Sequence, residues 1–140
     1  MIIVANGSPI FWASQKQPTI ALSTCEAETI AAAEFAKVVI WFHRLVSELG
    51  YGKMPIIRID NQASIKLLRE SQLSRRSRHM EVKHFFIREK IDAKVLDISY
   101  VPSESNLSDI LTKPMNKSVF QRLRHSAGIR CVIPKNNQPT

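Results

Sequence analysis

The segment between Ser23 and Gly50 constrains the fold more strongly than any other part of the sequence. Ser23 is a favourable helix N-cap, and Glu26 stands three residues later, as in a capping box. The alanines at 31–33 favour a helix through their intrinsic propensity. Gly50 is typical of the residue just beyond a helix C-terminus. The sequence therefore predicts one long helix, against which the remaining elements must pack.

The segments around this helix alternate between strand and helix patterns. Asn6-Gly7 between two apolar runs predicts a β-hairpin, because both residues tolerate the positive φ of its turn. Further along, the sequence predicts a strand over 55–60, a helix over 62–70 capped by Asn61, a helix over 80–91 and a strand over 95–101. A last helix is predicted over 106–112, where Pro114 either stops it or interrupts it before an extension over 119–126. This order predicts an α/β domain with a mixed sheet.

Length and composition exclude several classes of protein. A chain of 140 residues has room for one compact domain. No apolar run approaches the roughly 18–20 residues that cross a bilayer, so no membrane association is expected. The two cysteines, Cys25 and Cys131, make neither a disulfide framework nor a zinc site. We therefore expect an intracellular location, cytoplasmic or nuclear.

Positive charge is concentrated in the middle of the chain. The formal net charge is +8, and residues 66–90 hold eight basic and three acidic side chains. Such a concentration suits a polyanion, since counterions released on binding favour the complex. The alternative is a solvated loop and helix face.

Glu28 is the most informative single residue. At roughly 100° per residue it heads an apolar stripe of the long helix, which continues through Ala32, Phe35, Val39, Phe42, Val46 and Leu49. The other charged residues of the helix, Glu26 among them, are expected on the opposite face. A buried carboxylate without a cation is costly, so Glu28 should meet a cation or lie at the rim of the core. The alternative is an ordinary first-turn acid favoured by the helix dipole.

Two further acids stand where α/β proteins place ligands. Asp60 follows an apolar strand, and open α/β sheets bind ligands at the carboxyl ends of their strands. Asp109 lies between apolar neighbours on a short helix. The alternatives are an N-cap or turn aspartate at 60 and a solvated helix residue at 109. Three acids from three elements would suit hard divalent cations and, beside a basic surface, metal-dependent phosphodiester chemistry.

Six stretches in this order and spacing resemble the ribonuclease H region at the end of copia-type retrotransposon Pol polyproteins. The resemblance covers about residues 7–128. The stretches are 8–17 (SPIFWASQKQ), 21–28 (ALSTCEAE), 60–65 (DNQASI), 78–79 (RH) with 84–90 (HFFIREK), 100–103 (YVPS) and 107–114 (LSDILTKP).

The resemblance implies a fold, a reaction and a site. The family has a mixed five-stranded sheet with flanking helices, and four carboxylates that hold two Mg²⁺ ions and hydrolyse the RNA strand of RNA–DNA hybrids. Mn²⁺ is an alternative metal. The carboxylates carried over by motif are Glu28, Asp60 and Asp109. Candidate nucleic-acid contacts are Asn61, Gln62, Arg75, Arg76, Arg78 and Lys83. Implied partners are an RNA–DNA hybrid or other nucleic acid and the reverse transcriptase region of a parent polyprotein.

The sequence departs from the family at its beginning. No acid precedes Glu26, so the first catalytic Asp and its central strand have no counterpart. We expect a ribonuclease H-like domain over 1–128, incomplete at its N-terminus, and a flexible tail over 129–140. Three hypotheses remain open: an RNA–DNA hybrid ribonuclease, an inactive nucleic-acid-binding remnant, or a domesticated interaction domain. We expect His79 and His84 to be structural or backbone-contacting, and Trp12 and Trp41 to lie in the core.

Overall fold

A computed structural model describes residues 1–17, 20–70 and 81–130, and it confirms the α/β class. In chain order the elements are β1 (Ile2–Ala5), β2 (Ser8–Trp12), α1 (Thr24–Glu48), β3 (Ile56–Ile59), α2 (Gln62–Arg69), α3 (Glu81–Asp92), β4 (Asp97–Tyr100), two 3₁₀ helices (Ser103–Ser105 and Leu107–Leu111) and α4 (Lys117–Ser126). The chain divides into two compact units. One joins Met1–Ser14 to the residues from Leu107 onward, and the other is Gln15–Asn106.

The predicted hairpin is confirmed in the first unit. Strands β1 and β2 are antiparallel, and Ile3 pairs with Phe11. Asn6 and Gly7 form the turn with φ of 50° and 75°, the left-handed conformation that this residue pair tolerates. The turn is close to Gly128 in the same unit, because a Cβ atom at that glycine would overlap the carbonyl oxygen of Gly7.

The second unit is built on a pair of parallel strands. Ile57 of β3 pairs with Ile98 of β4, and both side chains are buried. The connection through α2 and α3 is the crossover that parallel strands require. Residues on the other face of β3 are exposed, Ile56 by 55%. The described strands form two separate two-stranded sheets, and the five-stranded sheet that the resemblance implies is not seen among them.

Helix α1 has the predicted bounds but buries a different face. Its buried residues are Glu26, Thr29, Ile30, Ala32, Ala33, Ala36, Val39 and Ile40. With a rotation of 100° per residue, this face lies about 100° around the helix axis from the predicted stripe. Leu49, the last residue of that stripe, is 69% exposed. Small alanines allow close approach of the elements that contact α1, whereas the larger side chains of the stripe lie at the edge of the contact. The expected core positions of Trp12 and Trp41 were also wrong, since they are 64% and 63% exposed.

The C-terminal region is interrupted where Pro114 predicts a stop. The predicted helix over 106–112 is the 3₁₀ helix Leu107–Leu111. Helix α4 is separate, and its N-cap is Asn116, whose Oδ1 accepts a hydrogen bond from the Val119 N–H at 2.9 Å. Of the predicted tail, residues 131–140 lie outside the described part of the chain. Within the described part, no helix is long and apolar enough to cross a membrane.

Candidate active site

Glu26 and Glu28, at the start of α1, have different surroundings. The Ser23 hydroxyl accepts a hydrogen bond from the Glu26 N–H at 3.1 Å, and Glu26 Oε2 accepts one from the Leu22 N–H at 2.7 Å. Glu26 is only 7% exposed, so its predicted place on the outer face was wrong. Its carboxylate binds the backbone at the helix start, as capping acids do. Glu28 is half-buried, and its Oε2 atom is shielded from solvent.

Asp60 lies immediately after β3 at the carboxyl end of the parallel strand pair. The next residue, Asn61, is the N-cap of α2, and its Oδ1 accepts hydrogen bonds from the N–H groups of Ala63 and Ser64 at 2.9 and 3.2 Å. The alternative interpretation of Asp60 as the helix cap is therefore wrong. The carboxylate of Asp60 is half-buried at the strand end, where α/β sheets bind ligands.

A buried group of hydroxyls joins the starts of α1 and α2. The Ser64 hydroxyl donates to the Cys25 carbonyl oxygen at 3.2 Å, and the Thr29 hydroxyl donates to the same oxygen at 2.8 Å. Both side chains are completely buried. Cys25 precedes Glu28 by one helical turn, and Ser64 follows Asp60 by about one turn. The hydrogen bond therefore holds the segments that carry these two acids beside each other.

The far end of α2 is held by side chains from α3. His84 is completely buried, and its Nε2–H donates to the Leu67 carbonyl oxygen at 2.8 Å. Arg88, one turn later, donates to the Arg69 carbonyl oxygen. The Arg69 guanidinium reaches β4, where it contacts Asp97 Oδ1 at 2.9 Å and the Ile98 carbonyl oxygen at 2.6 Å. The prediction of a structural role is thus confirmed for His84, which bonds the backbone of α2, whereas His79 lies outside the described residues.

Asp109 belongs to the other compact unit and has a partner there. Its Oδ2 atom is 2.9 Å from the Lys113 ammonium, one helical turn away, and its side chain is 15% exposed. Among the described residues, no group of three or more His, Cys, Asp or Glu side chains is arranged to hold a metal ion. The donors nonetheless have suitable chemistry, because carboxylate oxygens are the preferred ligands of hard divalent cations. Glu28 and Asp60 are the two candidate ligands that belong to the same compact unit.

The candidate nucleic-acid contacts are only partly described. Arg75, Arg76 and Arg78 lie outside the described residues. Lys83 is 3.6 Å from Glu34 Oε1, so this cation is partly balanced by an acid of α1. Asn61 caps α2, as the alternative interpretation predicted, and Gln62 is the exposed first residue of that helix.

Sequence reasoning missed the residues that position the site. Ser64 and Thr29 are small polar residues inside helical patterns, and such residues are usually solvated or bonded within their own helix. Their spacing carries little signal, because Thr29 directly follows Glu28 and Ser64 comes four residues after Asp60, which precedes the helix. The role of Arg69 has no signal in the sequence, since its partners lie 28 and 29 residues away.

These observations define a mixed α/β protein with one acid at the carboxyl end of a parallel strand pair and another on an adjoining helix. Its homologues are retrotransposon Pol polyproteins. The chain is 35% identical over 125 residues, 89% of its length, to the retrovirus-related Pol polyprotein from transposon TNT 1-94 of Nicotiana tabacum. It is 30% identical over 135 residues, 95% of its length, to that from transposon RE1 of Arabidopsis thaliana. It is 29% identical over 126 residues, 87% of its length, to the transposon Ty1-NL2 Gag-Pol polyprotein of Saccharomyces cerevisiae.

The matched region is a small part of each relative. It covers 9% of the tobacco and Arabidopsis polyproteins and 7% of the yeast polyprotein. No family profile and no solved structure matches the chain.

Proposed function

We propose that the chain is the ribonuclease H region of a retrotransposon Pol polyprotein, and that it hydrolyses the RNA strand of RNA–DNA hybrids with a divalent metal. The observation that carries this proposal is the hydrogen bond from the Ser64 hydroxyl to the Cys25 carbonyl oxygen, which joins the segments that bear Glu28 and Asp60. Ser23 and Asn61 cap the two helices, and Glu26 accepts a hydrogen bond from the Leu22 N–H. Glu28 and Asp60, neither of which caps a helix, therefore lie on adjoining elements.

The residues fit a divalent cation through their chemistry. Glu28 and Asp60 would hold Mg²⁺ or Mn²⁺ through carboxylate oxygens. When bound, such an ion supplies electrophilic stabilisation at a phosphodiester and lowers the pKa of a coordinated water. The protein's part is to orient the carboxylates, with α2 fixed at its start by Ser64 and at its end by His84.

A second function is favoured by the Asp109–Lys113 ion pair. A cation at 2.9 Å already neutralises the third acid, and the described residues hold no ready group of three ligands. A protein with this arrangement would bind nucleic acid through its basic surface without cleaving it. The two functions differ in one observable, the metal-dependent loss of the RNA strand.

The experiment is a cleavage assay on a labelled RNA–DNA hybrid with Mg²⁺ or Mn²⁺. We expect cleavage by the wild-type chain that is lost in Glu28→Gln and Asp60→Asn. The matched control is Glu48→Gln, the same change at an exposed position of α1. Retained cleavage in Glu28→Gln would contradict the proposal. Binding of the hybrid without cleavage would support the second function. If the chain neither binds nor cleaves the hybrid, the remaining hypothesis is a domesticated interaction domain.

A further inference from the structure

One face of the β3–β4 strand pair is uncovered. Along β3, the buried residues Ile57 and Ile59 alternate with Ile56, which is 55% exposed, and with Arg58, which is also exposed. Both faces of a parallel sheet are normally covered in α/β proteins. An uncovered face therefore indicates a place where a ligand or partner binds. We refer to it as the open face, and it carries Ile56 and Arg58 of β3 with their register partners Asp97 and Ser99 of β4.

Arg58 and Ser99 place two hydrogen-bond donors side by side on the open face. They are register partners, so their side chains leave the sheet on the same face, from strands about 4.8 Å apart. A guanidinium has five N–H donors and no acceptor, and a hydroxyl supplies one more donor. Within the described part of the chain, neither side chain has a hydrogen-bond or ion-pair partner. The pair is therefore suited to a ligand that only accepts hydrogen bonds, which is an anion.

Asp97, the acid of the open face, is bound by other groups. Its Oδ1 atom accepts hydrogen bonds from the Arg69 guanidinium at 2.9 Å and from the Ile98 N–H at 2.8 Å. Arg58 thus differs from Arg69, whose charge is balanced by this carboxylate. Because no carboxylate of the described residues forms an ion pair with Arg58, its charge is available to an anion from outside the chain.

Arg58 lies beside the candidate ligand Asp60. It precedes Asp60 by two residues, and the half-buried Asp60 continues the alternation that leaves every second position of β3 uncovered. At about 3.3 Å per residue, the two positions are about 7 Å apart along the strand. One strand of a nucleic-acid duplex carries a phosphate about every 3.4 Å of helix axis. A nucleic-acid strand with one phosphate at Asp60 can therefore place a neighbouring phosphate at Arg58.

We propose that Arg58 and Ser99 bind a backbone phosphate of a nucleic-acid strand, next to the phosphate that lies at Glu28 and Asp60. The choice of nucleic acid rests on the proposed function, whereas the choice of an anion rests on the two donors. A guanidinium suits phosphate because it can form two parallel hydrogen bonds with its oxygens. A protein partner is disfavoured, because interface centres are depleted of charged residues, and Ile56 is the one apolar residue among the four of the open face.

The test is binding of a labelled RNA–DNA hybrid by the full chain, without divalent metal, across a range of KCl concentrations. Arg58→Gln should bind about tenfold more weakly, with a salt slope reduced by about 0.9, the value for one lost phosphate contact. The control is Arg44→Gln, which removes the same charge from an exposed position of α1 and should bind within about twofold of wild type. Ser99→Ala should bind about threefold more weakly, with an unchanged salt slope because the hydroxyl is neutral.

Equal hybrid binding by Arg58→Gln and Arg44→Gln would overturn the proposal. Calorimetric titration with inorganic phosphate tests the other source of the anion: phosphate binding that requires Arg58, with hybrid binding that does not, would also overturn it. Recovery of most of the binding in Arg58→Lys separates charge loss from misfolding, and matched thermal unfolding midpoints confirm the comparison.

The binding assay contains no metal, so its result does not depend on catalysis. Binding that requires Arg58, without cleavage when Mg²⁺ is added, would contradict the catalytic proposal alone. Cleavage by the wild-type chain, with unchanged hybrid binding by Arg58→Gln, would contradict the phosphate site alone.

Discussion

The Ser64 hydroxyl donates a hydrogen bond to the backbone carbonyl oxygen of Cys25, 39 residues earlier, at 3.2 Å. It is a direct bond between the first turn of α2 and the first turn of α1, and Ser64 is completely buried. One neutral hydrogen bond therefore links the segments that carry the candidate ligands Asp60 and Glu28. Its removal should affect both stability and the site.

Replacing Ser64 by alanine should lower the free energy of unfolding by about 1 kcal/mol, because a buried hydrogen bond is lost. Ser126→Ala is the matched control, since this serine is exposed and also helical. Urea denaturation of both variants measures the difference. Equal stability of Ser64→Ala and wild type would show that the bond contributes nothing. If the proposed function is correct, Ser64→Ala should also cleave the hybrid more slowly than Ser126→Ala.

Asn61→Ala should destabilise the protein by about 1 kcal/mol, the usual cost of removing an N-cap. Asn61 Oδ1 accepts from two N–H groups of α2, and Asn61→Ser keeps an accepting oxygen at this position. Chemical denaturation should therefore show that serine restores most of the stability. Binding of the RNA–DNA hybrid distinguishes the two roles considered for Asn61. If its side chain contacts a phosphate, both variants should bind the hybrid weakly. If it only caps α2, the serine variant should bind the hybrid as wild type does.

Gly128→Ala should be the most destabilising glycine replacement in the described residues. Gly128 has φ of 79°, and an added Cβ would overlap the Gly7 carbonyl oxygen. Gly50→Ala is the control, because Gly50 has a similar φ of 83° and nothing within 4 Å of the added atom. The control should cost about 1 kcal/mol from backbone strain alone. Thermal unfolding midpoints should fall much further for Gly128→Ala, and similar midpoints would contradict the predicted overlap.

The acid Glu34 should make a pH-dependent contribution to stability. The Lys37 ammonium, which donates a hydrogen bond to Glu34 Oε2 at 2.7 Å, lowers the pKa of Glu34, and Lys83 adds to the effect. A carboxyl whose pKa is lower in the folded state stabilises the protein above its unfolded pKa, about 4.3 for glutamate. This contribution disappears as the pH falls through the folded pKa.

Glu34→Gln should therefore be less stable than wild type at neutral pH, by no more than about 1 kcal/mol because the pair is exposed. The difference should vanish in acid and shrink at high salt. Denaturant titrations at several pH values measure it, and Glu48→Gln is the control on the same helix. A difference that persists at the lowest pH would mean that packing, and not charge, is responsible.

Local signals predicted the elements well because each depends on a few neighbouring residues. The Asn6-Gly7 turn, the Ser23 cap of α1 and the Asn61 cap of α2 are all present where the sequence predicts them. The buried face of α1 was predicted wrongly, and so was the exposure of Trp41. A hydropathy stripe identifies the apolar residues, but which of them are covered depends on elements distant in sequence.

The sequence by itself determined the α/β class, the element order and the identity of the candidate acids, because propensity, capping and motif spacing are properties of short segments. Only the tertiary structure decided what surrounds each acid. Glu26 binds the Leu22 backbone, Asp109 meets Lys113, and Ser64 joins the segments of Asp60 and Glu28. Contacts across 39 residues of sequence arise from the packing of whole helices, which no local pattern records.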